Sequence, residues 1–193
     1  MNPAGILRLA ALAVSLSLLA GCVPVMVAGA AGSAAMIATD RRSAGAQLDD
    51  ETIELKLATQ ANSEFGNRIH LNATSYNGYV LLTGEVPDQA VLVSVGNLAK
   101  NIEKVRGVHN ELVIGLLSDF SSRSNDTYIT SKVKTRMIEA NKFPPNVVKV
   151  VTERQVVYLM GIVSKAEGDA AAEIAATTAG VVRVVKFFQY PTT

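Results

Sequence analysis

Two sets of side chains in this 193-residue chain have the type and spacing to do chemistry. The first is a single thiol. Cys22, the one cysteine, follows Leu19-Ala20-Gly21 and closes an uncharged apolar run from Leu9 to Leu19, itself preceded by one positive residue, Arg8. A charged start, an apolar middle and small residues at the end form a cleavable secretory signal, which puts the thiol at the cut. The second is a basic cluster, Lys132, Lys134 and Arg136 with Lys142 just beyond, set between Tyr128 and Ile138. Cations beside an outward aromatic and an outward aliphatic residue suit an anionic headgroup boundary, where the charge meets phosphate and the apolar body enters the interface. The histidines, His70 and His109, fall in expected strands, and neither has a histidine or cysteine partner at metal-ligand spacing. G-x-S-x-G, G-x-x-x-x-G-K-[ST] and G-x-G-x-x-G are all absent. The sequence therefore predicts a non-catalytic protein with no metal and no cofactor.

The elements that must position these groups come in two copies. Val80-Leu81-Leu82-Thr83-Gly84-Glu85-Val86 returns as Val157-Tyr158-Leu159-Met160-Gly161-Ile162-Val163, and self-similarity of this kind marks a duplicated unit. An acidic residue read as a helix cap, Asp50 or Asp126, precedes an amphipathic stretch in each copy, with Ile53 and Leu57 or Ile129, Val133 and Met137 at helical spacing. A second helix and a glycine-led strand follow, from Gly107 and from Gly180. Asn77-Gly78 predicts a tight hairpin turn, since both residues tolerate positive φ; Glu153-Arg154-Gln155 has no glycine and points to a different turn. Gly84 and Gly161 fit a bend or close approach at the strand-to-helix handover. The four extra residues between Gly84 and Gly107, against Gly161 to Gly180, amount to one helical turn.

The fold class is accordingly α+β, two tandem helix-strand-strand-helix-strand units, each a three-stranded mixed sheet packed on two helices. The expected boundaries are a signal at 1–21, a flexible tether at 22–47, domains at 48–117 and 126–190, and a polar linker at 118–125. Units of this size bury little surface alone, so one packing on the other is expected.

Charge divides unevenly between the copies. Residues 48–117 hold nine acidic and five basic side chains, whereas residues 126–193 hold six acidic and nine basic. Seventeen of each sign remain after cleavage removes Arg8, a balance unlike that of a nucleic-acid binder. Anionic lipid attracts basic segments by about 1 kcal/mol per Lys or Arg at the surface, which makes the second copy the candidate membrane reader. On a helical wheel Ile129, Val133, Met137 and Ala140 share the core side, while Tyr128 and Ile138 point outward with Ser131 and Thr135 between them and Lys132 and Lys134 at their flanks.

Leu19-Ala20-Gly21-Cys22 resembles the lipobox of bacterial lipoproteins. That likeness implies a diacylglyceryl group on the Cys22 thiol, cleavage before it, and an acyl chain such as palmitate on the new amino terminus. Val23, where enterobacterial inner-membrane lipoproteins carry aspartate, implies the periplasmic face of the outer membrane. The element order, the paired glycines, and the phrases Val80 to Val86 and Val157 to Val163 resemble the BON domain of osmotically induced periplasmic and nodulation proteins. A lipobox followed by two such domains is similar to dual-BON outer-membrane lipoproteins. This resemblance implies binding to anionic phospholipid membranes, support of envelope integrity at sites of division or remodelling, and outer-membrane assembly or cell-wall remodelling proteins as possible partners.

Overall fold

The computed structural model describes residues 40–191; the signal, Cys22 and most of the tether lie outside them. The elements run α1 (Ala44–Phe65), β1 (His70–Tyr76), β2 (Tyr79–Val86), α2 (Gln89–Lys100), β3 (Gly107–Asn110), β4 (Val113–Ile114), then α3 (Phe120–Ala140), β5 (Val148–Glu153), β6 (Val156–Ile162), α4 (Lys165–Ala176) and β7 (Arg183–Gln189). In each copy the hairpin is antiparallel and the last strand pairs parallel with the second hairpin strand. The first copy breaks that last strand into β3 and β4, both paired with β2. The α+β reading with two mixed sheets therefore holds.

Strand periodicity explains how the two copies pack. Side chains alternate across a strand, and in β2 Val80, Leu82 and Val86 enter the core shared with Ile53, Leu57 and Val95, while Leu81 lies in a second cluster. In β6 Val157 and Leu159 face α3 and α4, and Tyr158 and Met160 join Leu81, Tyr76 and Val151. Each sheet thus has helices on one face and the other sheet on its opposite face, which is why β2 and β6 read as nearly continuous apolar runs. His109 of β3 stacks on Phe187 of β7 at 3.9 Å between ring centroids, and its burial there lowers the imidazole pKa.

The register relates the copies by their structure. Tyr76 opposes Tyr79 and Glu153 opposes Val156, so Tyr79 corresponds to Val156, Gly84 to Gly161, and Val108 to Val184. Gly84 and Gly161 sit inside β2 and β6 rather than at a handover. Both are close-approach positions, where a Cβ would collide with the carbonyl oxygen of His70 or of Val147. The counterpart of Gly180 (φ 98°) is Lys104 (φ 70°), not Gly107. The second helices are both 12 residues long, and with Lys104 matched to Gly180 the two copies differ by one residue here, so the apparent extra helical turn came from pairing Gly107 with Gly180.

Three further expectations are corrected. Asp50 and Asp126 lie within helices that begin earlier, capped by Ser43 and Asp119. Each carboxylate instead holds its hairpin turn. Asp50 accepts from the backbone N–H of Asn77 (2.7 Å) and Gly78 (2.8 Å), and Asp126 from Arg154 (2.8 Å) and Gln155 (2.9 Å). The supposed linker at 118–125 is mostly the first turns of α3, with Asp119 accepting from Ser122 N–H. The second hairpin uses the same two-residue left-handed turn as the first, with Arg154 at φ 51° and Gln155 at φ 63°. Left-handed backbone costs a non-glycine residue about 1–2 kcal/mol, so Gln155→Gly, which copies Gly78, is expected to raise stability by about 0.5–1 kcal/mol in urea melts once the added chain entropy is counted.

The described end of the tether is also folded. Arg42 bridges Asp40 and Asp50 and lies 4.2 Å from the Tyr76 ring centroid. Arg41 makes a bidentate pair with Glu167 at 2.7 Å and donates to the Ile162 carbonyl, joining the start of the first copy to the second. The Arg41 hydrogen bonds hold the Glu167 carboxyl down at about 2, against 4.5 ordinarily. A depressed carboxylate pKa contributes stability that is complete above the unfolded value and lost as pH falls toward the folded one. Protection of the Arg42 N–H, its exchange rate taken relative to a free chain at the same pH, is therefore expected to be complete above about pH 4.5 and to fall as pH approaches 2, while Glu167→Gln should lower it at neutral pH.

Candidate functional site

The basic helix α3 is built as its apolar spacing requires. Ile129, Val133 and Met137 are buried in the second core, and Ala140, assigned to that side, is exposed because the helix ends there at left-handed Asn141. The outer face carries Tyr128, 62% exposed, and Ile138, 60% exposed, with Ser131 and Thr135 between them. Glu139 is exposed as well.

The three candidate cations occupy different situations. Lys134 is exposed, with no ion pair among the described residues, and lies on the flank toward β5 beside Thr127, Thr130 and Lys149. Lys132 holds its ammonium 4.6 Å from the Tyr128 ring centroid and donates to the Ala179 carbonyl. This cation–aromatic pair keeps the charge at the rim of the tyrosine. Arg136 is turned inward. Its guanidinium donates to the Ile174 carbonyl (2.9 Å) and to the hydroxyls of Thr178 (2.7 Å) and Thr177 (3.1 Å), binding the C-terminal end of α4. A cation there complements the helix dipole and adds to the Thr178 hydroxyl a second donor on the Ile174 carbonyl. Arg136 therefore positions α3 against α4.

Between α3 and the α4–β7 loop a groove of about 500 Å³ runs past Tyr128, Lys132, Thr135 and Thr177. Its mouth is open and its tyrosine wall is apolar below and polar at the tip. The equivalent helix of the first copy exposes Leu48 and Leu55 beside Asp49, Glu51 and Glu54, and its single lysine, Lys56, lies 4.0 Å from Glu103, so it is acidic where α3 is basic. No helix among the described residues is long and apolar enough to cross a membrane.

Sequence reasoning missed one cluster of ionisable groups. His70 Nδ1 lies 3.0 Å from Glu85 Oε2 and 3.8 Å from Glu153 Oε1, with the Ser118 N–H and hydroxyl donating to Glu85 Oε2. Burial pushes the Glu153 carboxyl up, and His70 works against that shift. The signal for it is a carboxylate on the sheet-facing side of each of two strands, Glu85 in β2 and Glu153 in β5.

Comparison with known proteins accords with the duplicated architecture. The BON domain family model matches residues 49–115 and 125–192. The chain is 40% identical over 174 residues to the outer membrane lipoprotein DolP of Haemophilus influenzae, covering 89% of this chain and 90% of that one. It is 36% identical to a 21 kDa hemolysin of Actinobacillus pleuropneumoniae, covering 78% and 79% respectively. Identity to the osmotically-inducible protein Y of Escherichia coli is 30%, over 69% of each chain. Two copies of one hairpin-and-helix unit, each matched separately, and likeness along nearly the whole chain place this protein in the BON-domain family, as a dual-BON protein of the DolP-like kind.

Proposed function

We propose that this chain is a lipid-anchored, non-catalytic module at the periplasmic face of the outer membrane that binds anionic phospholipid through α3 and supports envelope integrity where the envelope is remodelled or divides. The observation that carries the reading is the pairing of exposed Tyr128 and Ile138 with Lys132 and Lys134 on one helix of the basic copy. An apolar body with a cationic rim gains from headgroup attraction and from removal of apolar surface from water. Arg136 serves by holding α3 in place. Cys22 supplies the anchor, which keeps a weak headgroup contact at high effective concentration. The relative named as an outer membrane lipoprotein supports the address.

A second reading has its own observation. Along the connection between the copies Leu116 is 91% exposed and Phe120 81%, with Val113 and Ile114 also open. A run of exposed apolar side chains marks an interaction surface, which fits docking of an outer-membrane assembly or cell-wall remodelling protein.

One experiment separates the two. A chain beginning at Val23, without lipid, is expected to float with phosphatidylglycerol or cardiolipin vesicles and hardly at all with phosphatidylcholine. Flotation only after a second protein is added would hand the lead to the docking reading. In cells, Cys22→Ser is expected to remove the protein from the outer-membrane fraction, and unchanged fractionation would defeat the anchor.

A further inference from the structure

The two sheets meet in a pseudo-symmetric way, and its two corners differ. By register, Glu153 is the counterpart of Tyr76, His70 of Val147, and Glu85 of Ile162. The Tyr76 hydroxyl approaches the Val147 carbonyl at 3.5 Å, just as Glu153 approaches His70 at the other corner. A two-fold contact repeats itself with partners exchanged, so one corner is closed by tyrosine and aliphatic side chains and the other by three ionisable groups. At the first corner the charges sit on the tether, Arg42 against the Tyr76 ring and Arg41 on the Ile162 carbonyl, and not on the three counterpart positions.

The ionisable corner is expensive to build. The Glu85 side chain is wholly buried, and its Oε1 has no hydrogen-bond partner among the described residues; the half-exposed Arg154 guanidinium lies 3.5 Å from it. A buried carboxylate oxygen without a donor costs several kilocalories unless something compensates it. One ligand atom from each of His70, Glu85 and Glu153 can be chosen so that all lie within 4.8 Å of one another. Ligands about 2.0–2.1 Å from a tetrahedral ion lie about 3.4 Å apart, and the 3.8 Å between His70 Nδ1 and Glu153 Oε1 is close to that value.

We propose that His70, Glu85 and Glu153 form a three-ligand site for a divalent transition cation, zinc being the best match, which clips the first BON domain to the second. One imidazole and two carboxylates with a fourth position left to water are a zinc donor set, whereas magnesium and calcium take all-oxygen shells. The ion replaces the Arg154 contact at Glu85 Oε1 and cancels the repulsion between the two carboxylates. It has a way in: a groove of about 460 Å³ beside α3 reaches His70 and Glu153 past Thr74, Asp126 and Lys149. Ser118 holds Glu85 Oε2 from behind and so orients the ligand, as groups behind a metal ligand do.

The test is zinc titration of the full chain, purified in detergent without a histidine tag and stripped with a chelator. The expected result is one saturable zinc per chain, a higher melting temperature and slower amide exchange in β1 and β5. His70→Ala and Glu153→Gln should each weaken binding by roughly a hundredfold, while His109→Ala should leave it unchanged. Cobalt bound to the unmodified protein gives a reading that needs no variant: strong ligand-field bands of a four-coordinate ion are expected. Weak bands of an octahedral ion, no saturable binding by the unmodified chain, or full binding by a folded His70→Ala chain would overturn the assignment.

Discussion

Asp50→Ala is expected to lower folding stability by about 3–5 kcal/mol, because it strips the acceptor from two backbone N–H groups in the first hairpin turn and breaks a buried charge network. The carboxylate is 2% exposed and takes four hydrogen bonds: Asn77 N–H, Gly78 N–H, the Ser75 hydroxyl at 2.6 Å and Arg42 at 2.8 Å. Two donors would be left in the turn with nothing to bond, and Arg42 would keep only Asp40. Small domains are stable by about 5–15 kcal/mol in all, so the loss is a large share. Asp126→Ala should cost less, about 2–3 kcal/mol, since among the described residues its carboxylate accepts from the N–H groups of Arg154 and Gln155 and takes neither a hydroxyl nor an arginine side chain. Urea unfolding of the two variants checks both the size and the order. An Asp50→Ala chain within about 1 kcal/mol of the parent would mean that the carboxylate does not hold the turn.

These aspartates mark the limit of what the sequence made legible. An acid ahead of an amphipathic stretch is an ordinary helix-start signal, and the true starts, at Ser43 and Asp119, lie seven residues upstream of each aspartate in turns whose exposed residues show no apolar stripe. The repeat, the helical spacing of Ile53 and Leu57 and of Ile129, Val133 and Met137, and the Asn77-Gly78 turn were readable because each is carried by residues near one another in the sequence. Gly107 and Gly180 misled because a glycine was matched to a glycine, when the left-handed position in the first copy is filled by Lys104. At the candidate site the helical wheel placed Tyr128 and Ile138 correctly, since exposure on a helix follows from spacing alone. It could not tell that Arg136 is spent on α4, whose carbonyl and hydroxyls are 38 to 42 residues away. The His70 cluster was hidden for the same reason, as its third member comes from the other copy.

Reversing Lys132 and Lys134 to glutamate is expected to weaken binding to anionic vesicles by at least about thirtyfold at low salt, from two lost attractions of about 1 kcal/mol each. Repulsion of the new carboxylates increases the loss. Arg136 is left intact, because its bonds to Ile174, Thr177 and Thr178 join α3 to α4 and its removal would confuse misfolding with lost contact. Raising the salt should shrink the difference, since exposed charges are screened beyond about 10 Å at 0.1 M. Tyr128→Ala with Ile138→Ala should act differently, weakening binding to anionic vesicles at high salt as well as low, because removed apolar area is worth about 25 cal/mol per Å² whatever the ionic strength. The two kinds of loss together define a surface that reads charge and enters the interface. Lys132 also donates to the Ala179 carbonyl, so a melt of the charge-reversed chain must match the parent before its binding is read. A folded double-glutamate chain that floats with phosphatidylglycerol vesicles as well as the parent would remove α3 as the lipid contact and leave the exposed Leu116 and Phe120 segment as the surface to pursue.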